Sequence, residues 1–386
     1  MMRRINPVSG FMRGAALALL LCCGNSMAAD GLLWFDGGRP GPQARQAVEL
    51  LSAAATHGLE PQDYNASALR QAVMDAMQAA PPQPQPATIA RLEPALTTAM
   101  ERYLADLHTG RIDPRQAHHD FKPLRREAFD PGAYLRDALA ARRLSEAARE
   151  AAPRMPLYER LREQLARYRG WIGHPAWQQP LPPLPGDRRG LAGKLEPGQD
   201  YAGLAIMAQR LVVLGDLALD AITPPRYEEP LISAVQAFQQ RHGLAADGVI
   251  GKATLTQLQV APADRARQIE LALERLRWTP LMQGPRMIVI NIPEFVLRAY
   301  EVRGSRIVVL QEMKVIVGKT MGARTPLFDE DLRFIEFSPY WNVPPSIARA
   351  EVVPRLRRDP GYFAREGFEF VSSAGQVDTT LSTQNL

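Results

Sequence analysis

Apolar residues recur with a helical period through most of the first 280 positions, and with an extended period after that. Residues 44–55 (ARQAVELLSAAA) put Val48, Leu51 and Ala55 on one face, with Gly58 as a stop. The same spacing predicts amphipathic helices over 90–107, 131–143 and 156–168 (PLYERLREQLARY). A helix over 201–214 ends at Gly215-Asp216. Another over 229–242 carries Leu231, Ala234, Val235 and Phe238 on one stripe. Gly243 caps that helix, Asp247-Gly248 makes a tight turn, and Gly251 opens a third helix over 252–258. Residues 263–278 (ADRARQIELALERLRW) align Ile269, Leu273 and Leu276 and predict a rigid connecting helix. From Arg286 the period shortens. Residues 287–291, 296–302, 306–311 and 314–317 (KVIV) predict four strands, with Arg303-Gly304-Ser305 as a hairpin turn. Asn342-Val343-Pro344-Pro345 then precedes a helical patch that ends near Arg365.

Proline divides these stretches. Residues 81–86 (PPQPQP) and 180–190 (PLPPLPGDRRG) cannot sit inside helices and read as joints. At roughly 100–200 residues per domain, 386 residues hold two or three domains. The expected plan is multidomain α+β: a helical block over 32–185, three short helices over 198–260, a linker over 263–285 and a β-rich segment over 286–386. A content of 46% hydrophobic and 23% charged residues excludes wholesale disorder. The net charge of +5 suits an acidic polymer as partner but carries little weight, and nothing points to nucleic acid.

The N-terminus has the pattern of an export signal. Arg3, Arg4 and Arg13 precede an apolar core over 15–23 (AALALLLCC), and Ser26-Met27-Ala28 supplies a small-residue cleavage site. The core is shorter than the roughly 20 residues of a membrane span. Cleavage after Ala28 (a signal peptide over 1–28) predicts a periplasmic protein with no stable membrane span. It also removes both cysteines, Cys22 and Cys23, so a disulfide framework and a Cys-based zinc site in the body are excluded. His118-His119 beside Asp120 is the nearest approach to a metal cluster, but adjacent helical residues point apart. His57, His108 and His174 read as surface or core-edge residues. No metal and no cofactor are expected.

Residues 234–258 (AVQAFQQRHGLAADGVIGKATLTQL) resemble the three-helix peptidoglycan-binding domain. Phe238, Gln239, Gly243, Leu244, Asp247, Gly248, Ile250, Gly251 and Thr254 match its F-Q…GL…DG-IG--T run. The runs QIELALERLRW, VINIPEFVLRAYE, VIVGKTMGARTPLF and FSPYWNVPPSIARAEVVPRL resemble the scaffold-bearing, periplasmic L,D-transpeptidases of Gram-negative bacteria. The most specific parts are Thr325-Pro326, which follows Val317-Gly318-Lys319, and residues 339–345 (PYWNVPP). The resemblance implies a β-rich, sandwich-like catalytic domain that needs no metal. Its partners would be peptidoglycan stem peptides. In that family a cysteine thiolate attacks a tetrapeptide stem, expels D-alanine and passes the acyl group to the amine of another stem, giving a 3→3 cross-link.

The family's catalytic signature is a histidine followed by S-x-G-C-[IV]-R, because acyl transfer needs a strong nucleophile activated by a base. Here the last histidine is His242 and no cysteine follows Cys23. Ser338, Ser346, Ser372 and Ser373 lack a histidine base in their own segment. No catalytic residue is therefore assigned. The expectation is an incomplete catalytic domain, truncated before the cysteine motif and inactive; the alternative is a non-catalytic peptidoglycan-binding envelope protein. A muramidase or amidase would need paired carboxylates or a metal, and the consecutive Asp329, Glu330 and Asp331 read as a solvated turn. Tyr340, Trp341 and Asn342 are candidates for a substrate cleft, although burial of Trp341 in the core is the favoured reading for a large aromatic.

Overall fold

The computed structural model describes residues 32–78, 86–117, 128–186, 193–278, 284–304, 306–319, 324–327, 330–337, 339–372 and 374–382. The export signal with Cys22 and Cys23, the joint before Pro86, and the His118-His119-Asp120 cluster lie outside them. The chain divides into two compact units, Met1–Phe328 and Asp329–Leu386.

In the first unit a small hairpin, β1 (Phe35–Asp36) and β2 (Arg39–Pro40), leads into α1 (Pro42–Ser52), α2 (Ala66–Gln78) and α3 (Pro86–Thr109). The short α4 (Pro114–Ala117) is followed by α5 (Pro131–Ala140), α6 (Leu144–Ala151) and α7 (Pro156–Gly170). The long α3 is the axis of this layer. Its Leu92, Leu96, Met100, Tyr103, Leu104 and Leu107 recur every three or four residues and are all buried. The Asp130 carboxylate caps α5 by accepting the N–H groups of Gly132 at 2.9 Å and Ala133 at 3.0 Å. Two helices, α2 and α6, have no counterpart in the apolar pattern read above. Alanine makes up half of the buried face of α2 (Ala66 and Ala76, beside Leu69 and Val73) and most of that of α6 (Ala147, Ala148 and Ala151, beside Leu144), which marks a stripe weakly.

A second core lies in α8 (Leu204–Leu214), α9 (Leu231–Arg241) and α10 (Lys252–Gln259). Phe238, Val235, Leu231, Leu211, Ile250 and Tyr227 fill it. Leu181, in the proline-rich stretch read as a joint, is also buried there. Leu195 joins it through a paired bridge to Ile250. The stretch is thus partly a wall of the second core.

The largest departure from the sequence reading concerns α11 (Pro262–Trp278), expected to be a connecting helix. It folds back onto the first core instead. Ala266 and Leu273 are members of that core, and Ile269 and Leu276 pack against it beside α7. Its close approach needs Gly110, which has φ +85°; a Cβ there would lie 2.6 Å from Glu274 Oε1 and 2.9 Å from the Trp278 ring. A stripe of three apolar residues is common to a spacer and a core helix, so periodicity alone does not separate them.

Antiparallel strands β3 (Arg286–Asn291), β4 (Val296–Arg303) and β5 (Arg306–Lys314) follow in the order β3-β4-β5. Met287 pairs with Tyr300, and both belong to the face that packs on the helical core, as do Val289 and Ile307. Their neighbours Ile288 and Ile290 point away and are exposed. The separate fourth strand expected over 314–317 is corrected. A register shift at Ala299/Tyr300 lets β5 keep pairing down to Val296↔Lys314, so residues 312–314 extend the third strand.

The second unit contains α12 (Pro345–Ile347), a π-helical turn over Ala348–Val352, α13 (Val353–Arg358) and α14 (Gly361–Arg365). A two-stranded pair follows, β6 (Phe370–Val371) with β7 (Val377–Asp378). Buried Phe363 stacks on Phe370 with ring centroids 5.0 Å apart, and Leu356 is buried in the same unit.

Candidate functional site

The motif that carries the peptidoglycan-binding resemblance is organised around one buried amide. Gln239 sits on α9 among Leu231, Ala234, Val235 and Phe238 and is 1% exposed. Its Nε2, with two hydrogens, lies 2.9 Å from the Val249 carbonyl, 3.1 Å from Asp247 Oδ1 and 3.2 Å from Thr254 Oγ1, so one hydrogen is shared between two acceptors. Its Oε1 accepts the Gly248 N–H at 2.9 Å. Asp247 Oδ1 also accepts the Val249 N–H at 2.9 Å, so the turn after α9 is fastened at both ends.

The structure brings Phe238, Gln239, Asp247, Gly248 and Thr254 together, and each has a fold-specifying role. Gly248 has φ +75°, and a Cβ there would lie 3.0 Å from Ile232 Cγ2. Gly243 leaves α9 at φ +68°. Gly251 is extended, at the N-cap of α10. Sequence reading missed Tyr227, whose hydroxyl donates to the Gly248 carbonyl at 2.6 Å from within the core. Burial pushes its pKa upward, so it stays a neutral donor. The motif therefore builds a fastened turn, with Phe238, Gln239 and Thr254 buried and Asp247 at the surface.

Replacing Gln239 with leucine is expected to cost about 2–3 kcal/mol, because the Gly248 N–H and the Thr254 hydroxyl lose their buried partner. Hydrogen exchange of α9 amides checks this. An unchanged exchange rate would mean that the network adds nothing to the module.

Arg210 was also invisible to the pattern. It is buried, and its guanidinium donates to the carbonyls of Ala176 at 2.8 Å, Leu258 at 3.0 Å and Gln179 at 2.5 Å. Burial lowers its pKa. These bonds tie the end of α10 to residues 176–179. A lone charge on a largely apolar helix (LAIMAQRLVVL) was the available signal.

In the β-rich segment, the Thr325 hydroxyl accepts the Gly318 N–H at 2.7 Å and closes the loop between the two halves of the most specific motif. On β4, Arg298 is clamped by Glu294 at 2.5 Å and Glu312 at 2.7 Å. That ion pair holds the Glu294 carboxyl below its ordinary range. Residues 286–386 contain no histidine and no cysteine. Tyr340 is 80% exposed, Trp341 63% exposed, and Asn342 exposed. The favoured core reading of Trp341 is corrected: residues 339–344 form neither helix nor strand, so no neighbouring face covers the ring. The three residues line no described cavity.

Three family models match the chain. Residues 28–165 match "Scaffold domain", residues 205–258 match "Putative peptidoglycan binding domain", and residues 285–384 match "L,D-transpeptidase catalytic domain". A curated relative from Haemophilus influenzae, named "Putative L,D-transpeptidase", is 28% identical over 111 residues, which is 29% of this chain and 21% of the relative. The aligned segment thus spans about a fifth of that protein's length.

Proposed function

We propose that this chain belongs to the L,D-transpeptidase family and that it docks on peptidoglycan in the cell envelope through its three-helix module. The observation that carries the reading is the module's closed construction. Its own core and the Gln239 network hold the peptidoglycan-binding motif rigid. In this reading the domains run 32–185, 198–260 and 286–386, with α11 completing the first. Residues 1–28 are an export signal, and the mature protein resides in the periplasm with peptidoglycan stem peptides as its partners.

Residues 286–386 supply strands of the catalytic domain but not its chemistry. Acyl transfer between amides needs a nucleophile and a base, and this segment has neither thiol nor imidazole. We therefore assign the 386 residues a docking role without turnover, in a family whose activity is 3→3 cross-linking.

Co-sedimentation with purified peptidoglycan tests the docking role. The full chain is expected in the pellet, and Gly248→Val is expected to shift it to the supernatant, since valine strongly disfavours φ > 0. A wild-type chain that stays in the supernatant at every wall concentration would refute the docking role.

A further inference from the structure

The end of α9, one side of α7 and the first turns of α11 line an open groove of about 330 Å³. Its walls come from both cores of the first unit. Tyr168 belongs to α7, Arg241 and His242 to the end of α9 within the peptidoglycan-binding module, and Arg265, Gln268 and Ile269 to α11. None of the described residues lining it is an aspartate or glutamate.

The two guanidinium groups differ. Arg241 is matched by the nearly buried carboxylate of Asp216, through its Nε at 3.1 Å and its terminal nitrogen. Half-buried Arg265 donates to Gln268 Oε1 at 2.9 Å and to the Gln257 side-chain and backbone oxygens at 2.5 and 3.3 Å. Those acceptors are all neutral. One positive charge in the groove is thus desolvated without a counter-charge, and burial lowers its pKa.

His242 supplies the complementary group. Its Nδ1 lies 2.8 Å from the Phe238 carbonyl, which can only accept, so Nδ1 carries the proton. Burial lowers the ring's pKa, which leaves Nε2 as an acceptor in the neutral imidazole. Leu161 and Ile269 give the groove an apolar side. An anion suits Arg265, a peptide N–H suits His242, and a small side chain suits the apolar side.

We propose that this groove binds the C-terminal carboxylate of a short peptide ending in a small apolar residue, held by Arg265 and flanked by Tyr168 and His242. Scaffold and peptidoglycan-binding module then read the ligand jointly. The proposal rests on the docking reading only in naming a D-alanine-terminated stem peptide as the natural ligand.

The test uses the full chain and a fluorescein-labelled stem tetrapeptide ending in D-alanine, as the free acid and as the C-terminal amide, followed by polarisation. The acid is expected to bind at least about tenfold more tightly than the amide, the scale of one charge-assisted pair. Arg265→Gln is expected to abolish that preference. Equal binding of acid and amide by the wild type, or no binding of either, would overturn the proposal, and that comparison needs no variant to fold. A preference that survives in a folded Arg265→Gln would also overturn it. Co-sedimentation in parallel separates the two readings. A chain that pellets without preferring the acid retains docking and loses the groove, whereas Arg265-dependent preference without pelleting does the reverse.

Discussion

Replacing Arg277 with alanine is expected to destabilise the scaffold by about 3–5 kcal/mol, the cost of breaking a buried ion pair from one side. The Arg277 side chain is fully enclosed and lies 2.9 Å from Glu274, whose side chain is only 8% exposed. The same guanidinium donates to the His57 carbonyl and, at 2.9 Å, to the Tyr158 hydroxyl. Tyr158 therefore turns its proton toward His57 Nδ1, 3.0 Å away. Burial first, and then the charges of Arg162 and Arg277, push the His57 pKa down to about 3, so the ring is a neutral acceptor near neutral pH. Glu274 in turn accepts the backbone N–H groups of Arg111 at 2.6 Å and Ile112 at 2.9 Å, and the Trp278 indole at 3.1 Å. Removing Arg277 leaves the Glu274 carboxylate buried without its counter-charge and takes one donor from the His57 carbonyl and from the Tyr158 hydroxyl.

Hydrogen exchange of α3 amides in the full chain reads the effect on the scaffold. An exposed pair such as Arg115–Asp113, 2.9 Å apart, serves as the comparison; water screens a pair of that kind, and losing it costs little. A loss for Arg277→Ala no larger than that would mean α11 is held by its apolar contacts alone. The pair Glu274→Gln with Arg277→Met is expected to recover part of the loss, since it leaves no unpaired charge.

Incubation of residues 29–386 with a carbapenem is expected to leave their intact mass unchanged. Acylation in the family begins with a thiolate, and beyond Ala28 this sequence has no cysteine. Serine is no substitute: Ser346 and Ser372 lie in a segment without histidine, so no imidazole there can take the hydroxyl proton. A stable adduct would place the nucleophile on a residue given no catalytic role here, and peptide mapping would name it. Appending a segment with a histidine and the S-x-G-C-[IV]-R pattern is expected to produce the adduct. Its failure to do so would undercut the chemistry implied by the resemblance.

Periodicity in the sequence determined most of the helices, the hairpin at Gly304 and the change from helical to extended structure near residue 286. Apolar spacing encodes which face of an element is buried, and glycine encodes where the backbone must take φ > 0, as at Gly248. The same spacing marked Phe238 and Val235 as core. It could not say that Gln239 would be equally buried, because an amide is acceptable inside only when distant partners satisfy it. The tertiary structure decided those partners, and it decided that α11 closes a core built some 160 residues earlier. Glu274 and Arg277 read locally as an ordinary i, i+3 surface pair; only Gly110, His57 and Tyr158, brought alongside by the fold, remove them from water. The groove between α7, α9 and α11 was illegible for the same reason: its walls are separated by tens of residues, and burial by those neighbours, not residue type, leaves the Arg265 charge without a counter-ion.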